Sequence, residues 1–183
     1  MAKITDAELA KCIAQTFAQA FGRAHNTQLI GGALEPLYRP ATSTAPATLY
    51  FREDYPASAL HEVAHWCIAG TQRRRQEDFG YHYITGPRNA EDQVAFFDSE
   101  LRTQCLERAF ALALGLEFQP SADNVEADID AFAQAIQAHT PTLRDWLASS
   151  AGARARIFIR ALERARERIA QDPHPPLALG AAR

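Results

Sequence analysis

The chain has 183 residues, a formal net charge of −3, and 47% hydrophobic and 22% charged residues. This length suits one domain with a substantial core, and these proportions are ordinary for a globular protein. The small negative charge argues against direct nucleic-acid binding, and no apolar run is long enough to span a bilayer. The N-terminus has neither the basic nor the apolar segment of a secretory signal, so we expect a cytoplasmic protein.

The cysteines agree with that expectation. Cys12, Cys67 and Cys105 are odd in number and follow no C-x-x-C spacing. Disulfide frameworks and zinc-thiolate sites both need a more regular pattern, so we predict three reduced thiols in a reducing compartment.

The first third of the chain predicts one helix followed by short strands. Thr5 and Glu8 form a T-x-x-E capping box, and apolar residues then recur at helical spacing, which predicts a helix over about 6–21. Residues 27–53 contain Gly-Gly and several prolines between short β-prone runs. That pattern is typical of turns and short strands.

The next stretch predicts two helices separated by a loop. Pro56 suits the first turn of a helix that stops at Gly70. A run of three arginines, Arg73–Arg75, and a possible strand over 81–84 come next. A long helix is then predicted over about 90–114, from an N-cap at Asn89 to a stop at Gly115.

The remaining sequence predicts two more helices and a tail. One helix is expected from a cap at Ser121 to about residue 139, broken at Thr140-Pro141, and another over about 153–170. The tail, 172–183, is predicted to be disordered. The fold class is therefore α+β: a single domain over 1–171, mostly helical, with a small sheet.

Residues 61–65 read His-Glu-Val-Ala-His, an H-E-x-x-H motif that is compatible with few chemical roles. Positions i and i+4 lie on one face of a helix, so His61 and His65 project in the same direction. Two neutral imidazoles on neighbouring turns can hold one metal ion, and Glu62 between them is near enough to transfer protons. The motif sits beside Leu60 and Trp66 and is expected to be buried, where a His-Glu-His cluster without a metal would need separate partners. We therefore predict a metal site on a zincin-like helix.

The third ligand separates the known H-E-x-x-H arrangements. The metzincin extension requires Gly at position 68 and His at position 71, and this chain has Ile68 and Thr71. That class is excluded. The other common arrangement takes a carboxylate from a later helix, and the helix predicted over 90–114 is the obvious source.

Several acidic residues of that helix are candidates. Glu100, Gln104 and Glu107 share one edge of its apolar stripe, and Asp98 flanks the other edge. Periodicity alone does not choose between Glu100 and Asp98, and it excludes neither Glu91 nor Glu107.

The residues around the motif resemble those of the bacterial elongation factor P hydroxylases. The matching stretches are Ser58–Gly70 (SALHEVAHWCIAG), Asp78–Tyr81, Asp98-x-Glu100 with Gln104, and Asp123-Asn124-x-Glu126. The resemblance runs through most of residues 20–165, and the block over 58–70 is far more specific than a bare H-E-x-x-H. Where that family often has Tyr-Trp-Tyr, this chain has Tyr81-His82-Tyr83.

The resemblance implies an activity and a ligand set. In that family the protein oxidises a lysine of elongation factor P after a β-lysyl group has been attached, using dioxygen and a metal taken to be iron. Carried over to this chain, the Fe(II) ligands would be His61, His65 and Glu100. The choice of Glu100 over Asp98 comes from the resemblance. Nothing in the sequence implies 2-oxoglutarate, and the reductant stays open.

The same donors allow two chemistries. Two histidines and one carboxylate on one face of Fe(II) leave positions open for dioxygen and substrate. Around zinc they would leave a water, with Glu62 as general base for hydrolysis. We therefore keep a zinc metallopeptidase as the alternative, and a metal-stabilised binding protein without turnover as a third possibility. In a hydroxylase, Glu62 is expected either to support the metal ligands from behind or to transfer protons.

A lysylated substrate carries amines, so carboxylates near the site, including Glu77, are expected to receive them. The candidate substrate contacts are Asp78, Tyr81, Asp98 and Gln104. The Arg73–Arg75 run could meet an acidic partner, but we predict a solvated loop.

Overall fold

A computed structural model of the chain describes residues 4–80, 90–121 and 129–171, with the backbone alone for 90–96, 98 and 99. Within these ranges helices dominate beside one three-stranded sheet, which confirms the predicted mostly helical α+β class. The helices of these ranges include none long and apolar enough to cross a membrane. The strand predicted over 81–84, the cap at Asn89 and the tail over 172–183 lie outside the described residues.

The helices are α1 (Asp6–Phe17), α2 (Arg23–His25), α3 (Pro56–Ile68), α4 (Ala90–Leu114), α5 (Ile129–Ala138), α6 (Thr140–Ala148) and α7 (Ala153–Gln171). The strands are β1 (Thr27–Ala33), β2 (Leu37–Arg39) and β3 (Ala47–Arg52). A π-helical turn, Ala18–Gly22, joins α1 to α2, and two 3₁₀ turns, Arg73–Arg75 and Glu77–Gly80, follow α3.

The N-terminal helix begins at the predicted capping box. The Thr5 side chain accepts a hydrogen bond from the Glu8 backbone N–H, and the Glu8 carboxylate accepts one from the Thr5 backbone. The predicted helix over 6–21 is regular only to Phe17, because the chain then widens into the π-helical turn. Phe21 in that turn packs on Trp66, with 4.9 Å between the ring centroids.

The sheet positions α3. Its order is β1-β3-β2, with β1 parallel and β2 antiparallel to the central strand β3. The β1–β3 register slips between Ile30 and Ala33, where a Cβ on Gly31 would lie 2.6 Å from the Phe51 ring. Glycine at position 31 is therefore needed for this close approach of β1 to β3. From β3 the chain passes through a short turn directly into α3.

Helix α3 lies at the centre of the fold. It packs against α1, α4, α7 and β3, and Pro56 sits in its first turn as predicted. Its core side chains include Leu60, Val63 and Trp66, which are at most 1% exposed. Trp66 is therefore part of the core. All three cysteines are free, and Cys67 on this helix is buried.

Helix α4 ends where predicted, and the next segment differs from the prediction. Gly115 follows α4 with a φ of +80°, a left-handed conformation that favours glycine. The chain does break at Thr140, but a new helix, α6, begins there, which the sequence prediction missed. Pro141 lies in the first turn of α6, where its missing N–H has no helical partner to lose. The first part of the helix predicted from Ser121 falls in 122–128, outside the described residues.

Candidate metal centre

The two motif histidines meet on one face of α3. His61 and His65 are one turn apart, with 4.7 Å between ring centroids and an interplanar angle of 76°. Their Nε2 atoms are 3.1 Å apart. This separation requires a shared proton or a bound cation between the two nitrogen lone pairs.

Helix α4 supplies the third group. One carboxylate oxygen of Glu100 lies 3.6 Å from His61 Nε2, and the other lies 3.3 Å from His65 Nε2. One donor atom from each of His61, His65 and Glu100 can be chosen so that all lie within 4.8 Å of one another. In the described part of the chain, this is the one group of three or more such residues that could hold a metal ion.

The donor set fits a transition metal. Two imidazole nitrogens and a carboxylate oxygen aimed at one point are suitable ligands for zinc or non-heme iron, with further positions left open. The Glu100 side chain is 15% exposed and that of His61 is 22% exposed, so small molecules can reach the cluster. The structure therefore brings together the three residues that the resemblance implied as ligands, while their ligand role stays a prediction.

The Nδ1 atoms of both histidines face side chains of α4, the helix that also carries Glu100. Glu107 Oε2 lies 2.8 Å from His61 Nδ1, and Thr103 Oγ1 lies 3.4 Å from His65 Nδ1. A carboxylate on the far nitrogen of a metal-binding imidazole orients the ring and makes the ligand nitrogen more basic.

Sequence reasoning missed these two roles. Glu107 was left open as a possible ligand, and Thr103 was not considered. The available signal was the spacing on α4, since positions 100, 103 and 107 lie at i, i+3 and i+7 on one face.

The cluster is strongly coupled electrostatically. Burial lowers the pKa of His61, but the hydrogen bond and charge of Glu107, with Glu100 and Glu62 nearby, raise that pKa to about 10. Burial raises the pKa of Glu100, but a hydrogen bond from His65, the charges of both histidines and a hydrogen bond from Gln104 lower it to about 2. Without a metal, the cluster therefore keeps an imidazolium beside ionised carboxylates.

Glu62 is buried beside the cluster with an exposure of 8%. Burial raises the pKa of its carboxyl, and Glu100 and Asp78 add to the increase, although His61 and His65 oppose it. A raised pKa brings a carboxyl closer to neutral pH, which suits a group that accepts and returns a proton.

The turn that carries Asp78 forms a wall next to His65. Asp78 Oδ1 accepts a hydrogen bond from the Tyr38 backbone N–H at 2.8 Å. Phe79 stacks on the Tyr38 ring at 4.2 Å between centroids and lies 6.2 Å from the His65 ring. Both Asp78 and Phe79 have positive φ angles, so the contacts with β2 hold this turn in a strained conformation.

The other candidate substrate contacts have different placements. Gln104 is buried, its amide N–H donates to the Ser121 carbonyl at 2.6 Å, and its carbonyl accepts from the Ser121 N–H at 3.0 Å. It thus fixes the chain after α4 beside Glu100. Asp98 lies on α4, where its side chain is not described, and Tyr81 lies outside the described residues. Their substrate roles stay predictions.

The arginine run is only partly solvated. Arg73 and Arg75 are exposed, but Arg74 donates to the Ala69 carbonyl at 2.5 Å and lies over the Trp66 ring. The prediction of a solvated loop is therefore wrong for Arg74. Its guanidinium satisfies a carbonyl at the end of α3, which an exposed side chain would leave to water.

The fold and the cluster define a class of protein: a mostly helical domain in which an H-E-x-x-H helix and a glutamate from a later helix converge. The profile of the elongation factor P hydroxylase family matches residues 16–173. The chain is also 42% identical over 124 residues to the elongation factor P lysine hydroxylase of Haemophilus influenzae, covering 66% of this chain and 70% of the relative. The chain belongs to the elongation factor P hydroxylase family.

Proposed function

We propose that this protein is an iron-dependent oxygenase that hydroxylates the β-lysylated lysine of elongation factor P. The observation that carries the proposal is the convergence of His61, His65 and Glu100 in a chain of this family. The name of the Haemophilus influenzae relative, a lysine hydroxylase of elongation factor P, supports the same substrate here. A translation factor as substrate supports action in the cytoplasm.

The proposed metal is Fe(II). His61 and His65 would bind it through Nε2 and Glu100 through a carboxylate oxygen, leaving positions for dioxygen and substrate. When bound, iron supplies the activation of dioxygen that inserts an oxygen atom into a C–H bond. The second oxygen atom needs two further electrons, so a reductant is required.

The protein residues have separate tasks in this proposal. Glu107 holds the His61 ring through Nδ1, so Nε2 faces the metal position. Glu62 accepts or returns a proton beside the two histidines. Its carboxyl is buried and its pKa is raised, and both properties suit this role. Asp78, on the turn beside His65, supplies a carboxylate for an amine of the substrate. Tyr81, Asp98 and Gln104 are the further proposed substrate contacts.

The test is oxygen incorporation. Protein loaded with Fe(II) is incubated with β-lysylated elongation factor P and a reductant under air, and the product is analysed by intact mass. We expect a gain of one oxygen atom under air and none under argon. His61→Ala, His65→Ala and Glu100→Ala should each abolish the gain, whereas Glu163→Ala, on the exposed face of α7, should retain it. Full activity of Glu100→Ala would mean that another carboxylate is the ligand.

The same assay addresses the alternative of a zinc metallopeptidase. Glu62 between the two histidines, with its raised pKa, is the observation that favours hydrolysis. That activity would release peptide fragments in the presence of zinc, independently of air, and Glu62→Gln would abolish the release. If the verified substrate remained unchanged in both atmospheres and with both metals, only a metal-stabilised binding role would be left.

A further inference from the structure

The turn beside His65 has a rare backbone conformation. Asp78, Phe79 and Gly80 have φ angles of +45°, +56° and +71°, so three successive residues are left-handed. Glycine adopts this conformation readily and aspartate tolerates it, but a bulky aromatic residue rarely does. Such a conformation persists only where the surrounding contacts determine it, and positions of this kind cluster at functional sites. The contacts of Phe79 should therefore indicate what the turn does.

The Asp78 carboxylate attaches the turn to the sheet. Its Oδ1 accepts a hydrogen bond from the Tyr38 backbone N–H at 2.8 Å, and Tyr38 is the middle residue of β2. The Tyr38 hydroxyl donates to the Arg74 carbonyl at 2.8 Å, in the segment that follows α3. Tyr38 thus connects the turn both to the sheet and to the chain after α3. The position of the turn is thereby fixed relative to α3, the helix that carries His65.

Phe79 packs its ring against His65. The Phe79 ring is nearly parallel to that of Tyr38, with 4.2 Å between centroids and 12° between planes. It is also nearly parallel to the imidazole of His65, at 6.2 Å and 20°. Both Phe79 and Tyr38 are buried, at 3% and 2% exposed. Aromatic rings at these separations prefer an offset-stacked arrangement, so the Phe79 ring restricts rotation of the imidazole.

The two motif histidines differ in how their rings are held. His61 Nδ1 lies 2.8 Å from the Glu107 carboxylate, whereas His65 Nδ1 lies 3.4 Å from the Thr103 hydroxyl. A long contact with a neutral hydroxyl constrains a ring less than a short contact with a carboxylate. We therefore expect packing against Phe79 to contribute more to the orientation of His65 than hydrogen bonding does.

We propose that Phe79 and Asp78 are positioning residues for His65. Phe79 orients the imidazole so that its Nε2 faces Glu100, and Asp78 keeps Phe79 in the left-handed turn through its bond to Tyr38. This inference rests on the proposed function for the role of His65 as a metal ligand. It needs only a hydrogen-bond acceptor at position 78, whereas the substrate contact proposed for Asp78 needs the negative charge.

Two substitutions of Asp78 separate position from charge. Asp78→Asn removes the charge but keeps an oxygen that can accept from the Tyr38 N–H, and asparagine also tolerates a left-handed backbone. Asp78→Ala removes both the charge and the acceptor. Phe79→Leu keeps an apolar side chain and the charge of Asp78 but removes the ring. Asp145→Ala, at an exposed position of α6, is the matched control.

The first measurement needs no metal. The histidine ring signals of the full-length metal-free protein are recorded by NMR at one pH. In Asp78→Ala the Phe79 ring should move, so the His65 signals should shift, and by more than those of His61. Asp78→Asn should shift the His65 signals much less, and Asp145→Ala should leave them in place. A general loss of stability would not produce a change centred on His65.

The second measurement is the affinity for Co(II), determined by competition with a chelator. Asp78→Ala and Phe79→Leu should each raise the dissociation constant at least about tenfold, the low end of the range for groups that orient a metal ligand. Both should also change the visible absorption bands of bound Co(II), which report the ligand geometry. Asp78→Asn should raise the dissociation constant at most about threefold, since it loses only a nearby charge.

Equal losses of Co(II) affinity in Asp78→Asn and Asp78→Ala would overturn the proposal, because charge alone would then explain both. An unchanged affinity in Phe79→Leu would overturn it as well. If Asp78→Ala does not fold, the contrast between Phe79→Leu and Asp78→Asn replaces it.

The outcome is separable from that of the proposed function. If the wild-type protein binds no Co(II), the ligand role of His65 fails, and the NMR comparison of Asp78→Ala with Asp78→Asn decides the positioning role. Equal His65 shifts in these two variants would then reject it. The substrate contact of Asp78 is tested separately, since it predicts a raised KM of Asp78→Asn for β-lysylated elongation factor P.

Discussion

At the scale of single residues, the two nitrogens of His61 are used for different purposes. Nε2 faces the proposed metal position beside His65 and Glu100, and Nδ1 is held by Glu107. Glu107 fixes the His61 ring and increases the basicity of its Nε2. Loss of the Glu107 carboxylate should therefore weaken metal binding, although Glu107 is not itself a proposed ligand.

We therefore expect Glu107→Gln to raise the metal dissociation constant by about 10–100-fold. The measurement is competition with a chelator of known affinity, and Glu163→Gln is the matched control. An unchanged affinity in Glu107→Gln would mean that the His61 ring is oriented by its packing alone.

The cluster also gives the metal-free protein a defined pH dependence. The pKa of His61 is raised to about 10, so its stabilising contribution is complete below the unfolded value of about 6.5 and is lost as pH rises through about 10. The pKa of Glu100 is lowered to about 2, so its contribution is present above its ordinary value of about 4.5 and is lost as pH falls through about 2.

The free energy of unfolding of the metal-free protein should therefore be larger at about pH 6 than at about pH 9.5. Urea denaturation at both pH values measures the difference. His61→Gln cannot titrate, so the difference should shrink in this variant. An equal decrease in wild type and His61→Gln would assign the pH dependence to other groups.

At the scale of elements, the C-terminal end of α3 is held by two guanidinium groups. Arg154 of α7 donates to the carbonyls of Cys67 and Ala69 at 2.9 and 2.7 Å, and Arg74 also donates to Ala69. The Trp66 ring is in contact with both arginines. These bonds satisfy carbonyls that a helix leaves without intrahelical partners, and cations are favourable at this end of a helix.

Replacing Arg154 by Met should lower the free energy of unfolding by about 1–3 kcal/mol, because the Cys67 carbonyl loses its Arg154 donor and the Ala69 carbonyl keeps only Arg74. Arg160→Met, at an exposed position of the same helix, is the matched control and should change stability by less than about 0.5 kcal/mol. Chemical denaturation measures both variants. Equal stability of the two would show that water replaces the guanidinium at this helix end.

Much of this arrangement could be predicted from local sequence signals. The capping box at Thr5, Pro56 in the first turn of α3 and Gly115 after α4 mark element ends through backbone chemistry alone. The spacing of His61 and His65 likewise determines a shared helical face. Local signals could not select Glu100 among the acids of α4, because that choice depends on which face of α4 packs against α3. Local signals also missed α6, since Thr140-Pro141 is compatible both with the end of one helix and with the start of another.

At the scale of the whole molecule, the proposed metal would join α3 to α4 inside a shared core. Phe17, Trp66 and Phe158 connect α1, α3 and α7 through ring contacts, and α4 packs on both α3 and α7. A ligand that binds only the folded arrangement stabilises the whole domain by mass action.

Metal in excess over its dissociation constant should therefore raise the melting temperature, by an amount that corresponds to about 2.7 kcal/mol at a hundredfold excess. Chelation should reverse the increase, and Glu100→Ala should remove most of it, whereas Glu163→Ala should keep it. Differential scanning fluorimetry with and without metal measures the effect. A full increase in Glu100→Ala would mean that the two histidines bind the metal without α4.

Three residues on one face of α4 contact the two histidines, and this limits how the sequence of α4 can change within the family. Glu100, Thr103 and Glu107 reach the two histidines from a single face of α4. A helix advances by about 100° per residue, so one inserted or deleted residue between positions 100 and 107 would turn Glu100 and Glu107 onto different faces. The site should therefore tolerate length changes in the sequence before and after α4 better than any within this segment. Relatives that keep the activity should differ there by substitution only.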